Sequence, residues 1–186
     1  GLRGRLDSVV ARLEESGIYL EREDDITDLG RRAGRVLFEE ISRVRAELAQ
    51  AKIPALLAMV DDYEEQDEAV VVFSMHRAPI DLLGDRKGWA KITGDTAPEE
   101  RTKIVAAFQA GELRGLAATI QAGGVGLTLT RAHHCIFVDL AWTPALNQQA
   151  EDRLCRIGQT RGVIVSRLVV DHPLDRRVAE LLARKQ

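Results

Sequence analysis

The feature that most constrains the fold is a series of short apolar, β-branched runs separated by stretches with helical spacing. AVVVF (69–73), LAATI (116–120), CIFVD (135–139) and VIVSRLVV (163–170) do not alternate between apolar and polar residues. A strand wetted on one face would alternate, so these runs read as strands covered on both faces. WAKI, Trp89 to Ile92, adds a short further strand. The segments near 79–84, 98–110, 144–156 and 173–184 carry helical character. Buried strands alternating with helices predict an α/β fold, a parallel sheet with helices on both faces.

The first third of the chain has a different rhythm. Leu2, Leu6, Val9 and Leu13 predict an amphipathic helix over 2–16, and EREDDITDLG (21–30) reads as a loop. Leu37, Ile41, Val44, Leu48 and Ala51 repeat the helical spacing. Pro54 then breaks or restarts the helix, because its ring disfavours helical geometry at Ile53. Leu56, Leu57, Val60 and Tyr63 form the next apolar face, and Thr96-x-x-Glu99 with Pro98 predicts a capped helix start. Aromatic residues are only 4% of the chain against 45% hydrophobic, so the core must be built from Leu, Val, Ile and Ala.

Several functions are disfavoured by position or spacing. No apolar run is long enough to span a bilayer, so no membrane partner is expected. Cys135 and Cys155 form no CxxC pair, which predicts reduced thiols. His133, His134 and Cys135 are adjacent, but neighbouring side chains on a strand point to opposite faces and cannot converge on a metal. DDYEEQDE (61–68) precedes a strand, whereas α/β sheets gather ligands after strands, so it reads as a solvated turn rather than a metal site. The net charge of -3 argues against a wholly basic nucleic-acid binder. Residues 1–100 hold 14 basic and 22 acidic residues, and residues 101–186 hold 12 and 7. The basic second half could face an anion or be an ordinary solvated surface.

Three segments that follow strands do not look like filler: FSMHRAPID (73–81), TIQAGGVGLTLT (119–130) and QAEDRLCRIGQT (149–160). Gly123, Gly124 and Gly126 would let backbone N–H groups approach an anion, though tight-turn packing explains them as well. If the helix continues to 156, Gln149, Arg153 and Arg156 share a narrow arc, with Leu146, Ala150, Leu154 and Ile157 on a separate apolar face. The two guanidinium forks suit a phosphate. They could equally pair with Glu151 and Asp152 as a surface network.

In order along the chain, these segments resemble the motifs of one family. FSMHRAPID resembles motif IV of the Swi/Snf-type helicase-like ATPases of superfamily two, TIQAGGVGLTLT their motif V, and QAEDRLCRIGQT their motif VI. KITGDTAPEERTKIVAAFQAGE (91–112) resembles the turn and helix between motifs IV and V. AEDR and GLTLT are similar to the annealing-helicase (HARP-like) branch. The resemblance implies a C-terminal, RecA-like lobe over 52–186, preceded by a helical protrusion or brace over 1–51. It implies ATP and Mg²⁺ in a two-lobed parent, in which the N-terminal RecA-like lobe supplies the phosphate loop and the metal-binding acids. No GxxxxGK[ST] loop occurs in this chain, so the chain alone is expected to bind neither and not to hydrolyse ATP.

By the same resemblance, Arg153 and Arg156 reach the γ-phosphate across the cleft, and Gln149 helps place the phosphate or the water. Gly124, Gly126 and Asp152 lie on the nucleotide side. Ser74, Thr93, Gly94, Thr119 and Gln121 occupy the positions that contact phosphates of duplex DNA. Ile120 stands where many members carry Thr, Thr143 replaces the Asn after the tryptophan, and Cys155 replaces a common His. Such a protein would work on the nucleoid in a bacterium or in the nucleus of a eukaryote.

Overall fold

The computed structural model describes residues 11, 34–123, 126–141, 143–171 and 175–176. The helix expected over 2–16, the loop over 21–30 and most of the helix expected over 173–184 lie outside the described residues. The chain divides into two compact units, one of them Lys52–Leu168. The other contains helix α1 (Gly34–Ala51), where the spacing predicts one, with Val44, Leu48 and Ala49 buried. In the same unit the Val170 N–H donates to Asp175 at 2.8 Å, and Arg176 pairs with Asp171.

The unit Lys52–Leu168 opens with α2 (Ile53–Glu65), which carries Pro54 in its first turn, where a missing N–H costs nothing. There follow β1 (Val70–Ser74), α3 (Arg77–Gly84), β2 (Trp89–Ile92), α4 (Pro98–Ala110) and β3 (Gly115–Thr119). The unit closes with α5 (Ile120–Gly123), β4 (His134–Phe137), α6 (Pro144–Glu151) and β5 (Ile164–Arg167). The strands pair in the order β2-β3-β1-β4-β5, every pairing parallel. Central β1 is buried at all five positions. Its Val70 and Val72 join Ala117, Ile136 and Val138 beneath Leu56 and Val60 of α2 and Ile80 and Leu83 of α3. On the other face, Phe73 and Phe137 stack with ring centroids 5.4 Å apart. A Cβ on Gly123 would sit 2.5 Å from the Phe73 ring, so α5 can lie against it only with glycine there. The expected parallel sheet with helices on both faces is therefore the observed one.

Four local expectations are corrected. The last strand stops at Arg167 rather than 170, and Ile164 is 57% exposed. It is an edge strand with a single partner, β4, so burial on both faces was the wrong reading. Helix α6 ends at Glu151 rather than 156, because the next carbonyls enter tight turns: Leu154 N–H donates to Glu151 O at 3.0 Å and Arg156 N–H to Leu154 O at 3.1 Å. Thr96 does not cap α4. Its hydroxyl accepts the Thr93 N–H at 2.9 Å, and Ala97 takes the cap position without a side-chain bond. The stretch 61–68 is a turn only at 66–67: residues 61–65 close α2, and although Asp62, Glu65 and Asp67 are exposed, Glu64 and Glu68 are engaged. Glu64 accepts Arg86 Nε at 3.0 Å and Trp89 Nε1 at 2.6 Å, and Glu68 accepts Arg161 at 3.1 Å.

Candidate functional site

Parallel pairing puts the ends of β1, β3 and β4 at one edge of the sheet, and each end leads into one of the segments singled out in the sequence. Helix α4 begins at that edge too, after β2. A cavity of about 400 Å³ lies there between Pro98, Arg101, Thr102 and Val105 of α4 and the segment Gly126–Thr128. Gly126 has φ +65 and open space where a Cβ would stand. Gly124 lies outside the described residues.

The arginine-bearing turn is fixed by bonds from distant segments. The Leu129 N–H donates to the Arg153 carbonyl at 2.9 Å, and the buried Leu154 anchors the turn. The Gln159 amide donates to Ala132 O at 3.0 Å and Leu154 O at 3.2 Å. Arg153 is half-buried, with Nε donating to Gln149 O at 3.1 Å. Arg156 is exposed, and its Nη1 donates to the Thr128 hydroxyl at 3.2 Å. Because α6 stops at Glu151, the three polar residues do not share one helical arc. Gln149 sits exposed in the last turn of α6, and both arginines lie in the turn beyond it. Ile157, expected on the apolar face, is fully exposed.

The acids of the motif have other partners. Glu151 accepts Arg167 at 2.6 Å, and Asp152 accepts the Gln148 amide at 2.9 Å. Among the described residues Arg156 makes no ion pair, so its charge is held near the cavity by a hydroxyl alone. Cys155 is exposed, and its thiol is pushed up from the ordinary value by partial burial and by Glu151 and Asp152. That makes it a poor nucleophile at neutral pH.

The residues expected at DNA fall in two settings. Gly94 and Gln121 are exposed and Thr119 is half-buried at the end of β3. Thr93 is buried within a turn that Arg101 locks, its guanidinium donating to Thr96 O at 2.8 Å, Thr93 O at 3.0 Å and Gly94 O at 3.4 Å. Ser74 is fully buried, and its hydroxyl donates to Asp139. The exposed Arg77 pairs with Asp95, joining the loop after β1 to the turn after β2.

Sequence reasoning passed over Asp139, Asn147, Arg101 and Gln159. Asp139 had a signal, an acid closing an apolar run on the ligand side of the sheet. Asn147 had none. Its side chain accepts the Ala141 N–H at 2.8 Å and donates to the Ala141 carbonyl at 3.0 Å, a clamp visible only once the loop is folded.

Comparisons with known proteins agree with this fold. Residues 51–158 match the helicase conserved C-terminal domain. The chain is 35% identical over 133 residues to Protein CHROMATIN REMODELING 24 of Arabidopsis thaliana, covering 68% of this chain and 12% of that protein. It is 30% identical over 159 residues to a Drosophila melanogaster protein, the SWI/SNF-related matrix-associated actin-dependent regulator of chromatin subfamily A-like protein 1, covering 82% of this chain and 21% of the other. The chain thus spans 12% and 21% of the length of these two relatives. The crystal structure of the C-terminal part of the Fun30 ATPase domain matches at a TM-score of 0.64 with 20% identity, over 96% of this chain and 72% of that one. This chain belongs to the helicase conserved C-terminal domain family, has a RecA-like fold, and counts Swi/Snf-type proteins among its relatives.

Proposed function

We propose that this lobe is half of the motor of an ATP-dependent translocase on duplex DNA. Residues 52–186 would form the lobe and 1–51 a helical protrusion or brace. The other half of the motor, an N-terminal RecA-like lobe, would carry the phosphate loop and the acids that hold Mg²⁺. ATP supplies the free energy through transfer of its γ-phosphoryl group to water. The residues here would meet that group from across the cleft: Arg153 and Arg156 as cations, Gln149 beside the phosphate or the water, and Gly124, Gly126 and Asp152 along the nucleotide side. A permanently charged planar fork facing developing negative charge stabilises the transition state more than the ground state.

The observation that carries this reading is the condition of Arg156. It is exposed beside a glycine-containing turn and bonded to the Thr128 hydroxyl, and among the described residues no carboxylate neutralises it. A surface ion-pair network would have engaged it with Glu151 or Asp152, which are bonded elsewhere. On the DNA side, Thr93, Gly94, Thr119 and Gln121 would position phosphates without reading bases. The buried Ser74 would act there by fixing its loop. Such a protein would reside with its DNA, in a nucleus or on a nucleoid.

The test is steady-state ATPase of the full-length parent at saturating duplex DNA, beside a nucleotide-binding titration. Arg156→Ala should lower kcat by roughly 10³–10⁵, the range of arginine fingers in other phosphoryl-transfer systems, with nucleotide binding largely intact. Near-normal kcat would reject the assignment and favour a lobe retained as a non-catalytic interaction module.

A further inference from the structure

The mechanism above leaves the most heavily bonded acid at the site without a role. Asp139 is buried just past β4. It accepts the Ser74 hydroxyl, and both its oxygens lie 3.2 Å from the Met75 N–H. Ser74 Oγ in turn accepts the His76 N–H at 3.0 Å, and His76 Nε2 stands 3.6 Å from the carboxylate. A buried carboxylate is tolerated only with such donors, so the loop after β1 cannot shift without moving the end of β4 or stranding the charge. The chain then runs two residues to Ala141, whose N–H and carbonyl are both held by Asn147 of α6. Helix α6 ends at Glu151 and delivers Arg153 and Arg156. Two side-chain clamps therefore join the loop expected to meet DNA to the turn that carries the arginines.

We infer that Asp139 and Asn147 are positioning residues that couple engagement of DNA at the loop after β1 to placement of Arg153 and Arg156. Neither touches nucleotide or DNA. This rests on the motor reading above. A phosphate settling on the loop after β1 would displace or tighten Ser74 and Met75, which Asp139 already holds. Asp139 transmits that position to the end of β4, and Asn147 passes it to α6. Without DNA the arginine turn keeps its local bonds to Leu129 and Gln159 and supports only the basal rate. The route consists of bonded groups, which is the physical form coupling between sites takes when a few contacts carry it.

The experiment measures ATP turnover of the full-length parent with and without duplex DNA, for wild type, Asp139→Asn, Asn147→Asp and the double variant. Asp139→Asn places an amide donor where two donors already point. Asn147→Asp keeps the acceptor for the Ala141 N–H but sets an oxygen against its carbonyl. Each single variant should lower the ratio of DNA-stimulated to basal turnover about tenfold, within the usual range of site-to-site coupling, with the basal rate unchanged within about twofold. The double variant should lose little more than either single one, because both clamps lie on one route. A ratio equal to wild type in both single variants, or a parallel fall of basal and stimulated rates, overturns the inference while leaving the motor reading in place. A wild-type parent that DNA does not stimulate overturns both. If Asp139→Asn fails to fold, Asn147→Asp alone decides by the same ratio.

Discussion

The two edges of the sheet both gather arginines, and they use them differently. At the edge where strands begin, Arg86 lies against Glu64 and Asp61 and Arg161 against Glu68, while Arg131 donates to the carbonyls of Phe108 and Leu113. The Arg86 hydrogen bond, against the opposing effect of burial, holds the Glu64 carboxyl below the ordinary carboxylate range. At the edge where strands end, Arg101 donates to three backbone carbonyls and Arg156 to a threonine hydroxyl. Ion pairs occur there too, between Arg77 and both Asp95 and Asp81 and between Arg167 and Glu151. Charges closed on themselves stabilise a fold, whereas a fixed cation without a counter-charge beside a cavity is suited to an anion that arrives. The basic excess of residues 101–186 would not have separated these roles, because Arg161 and Arg156 both belong to it.

Substitutions at the two edges should therefore separate activity from stability. The largest effect is expected at Arg156, where alanine removes roughly 10³–10⁵ of the parent's turnover and lysine restores little, because one ammonium cannot reproduce a planar fork. Melting of Arg156→Ala should stay near wild type. Arg86→Ala should do the reverse, costing about 1–2 kcal/mol in a denaturant titration and leaving kcat of the folded parent within a few-fold of wild type. The sign with pH follows from Glu64. A carboxyl whose folded value is depressed contributes stability above its ordinary value of 4.5 and loses it as pH falls through the lower folded value. The stability gap between wild type and Glu64→Gln should thus be full at neutral pH and shrink progressively below 4.5.

Glycines sharpen the same contrast. At Gly115, where β3 begins, a Cβ would fall 2.3 Å from the Trp89 ring, so alanine should cost about 1–3 kcal/mol by overpacking, read as a lower denaturation midpoint. At Gly126 space is open and only the φ of +65 resists, so alanine should cost about 1–2 kcal/mol. The smallest effect is expected at Cys155. Its thiol is raised and among the described residues no activating base is bonded to it, so Cys155→Ser should leave ATP turnover unchanged, and a large loss would reopen the residue's role.

The sheet was legible because its central strands are short and apolar on both faces, a pattern that local sequence carries. The span of helix α4 was legible, with Pro98 fitting its first turn, although Ala97 rather than Thr96 takes the cap position. The end of α6 was not, because the tight turns that stop it are held in part by the distant Leu129. Leu129 takes the Arg153 carbonyl and Gln159 the Leu154 carbonyl, so local spacing carried the helix five residues too far. The end of β5 depended on its place at the edge of the sheet, which only the strand order reveals. Ser74 and Asp139 lie 65 positions apart, and neither residue type announces the other. The motif arginines stood out by residue type and family pattern, but their unequal surroundings needed the fold.

The central claim is that Arg156 stabilises the transferring γ-phosphoryl group more than it stabilises bound nucleotide in the ground state. The most direct measurement compares dissociation constants of ADP alone and of ADP with aluminium fluoride, a mimic of the transferring group, for the wild-type parent and Arg156→Ala. The account predicts that ADP affinity stays within about twofold while affinity for the mimic falls at least about a hundredfold, since the interaction belongs to the transition state. Equal affinity of both proteins for the mimic, or an equal loss for ADP and the mimic, would contradict it.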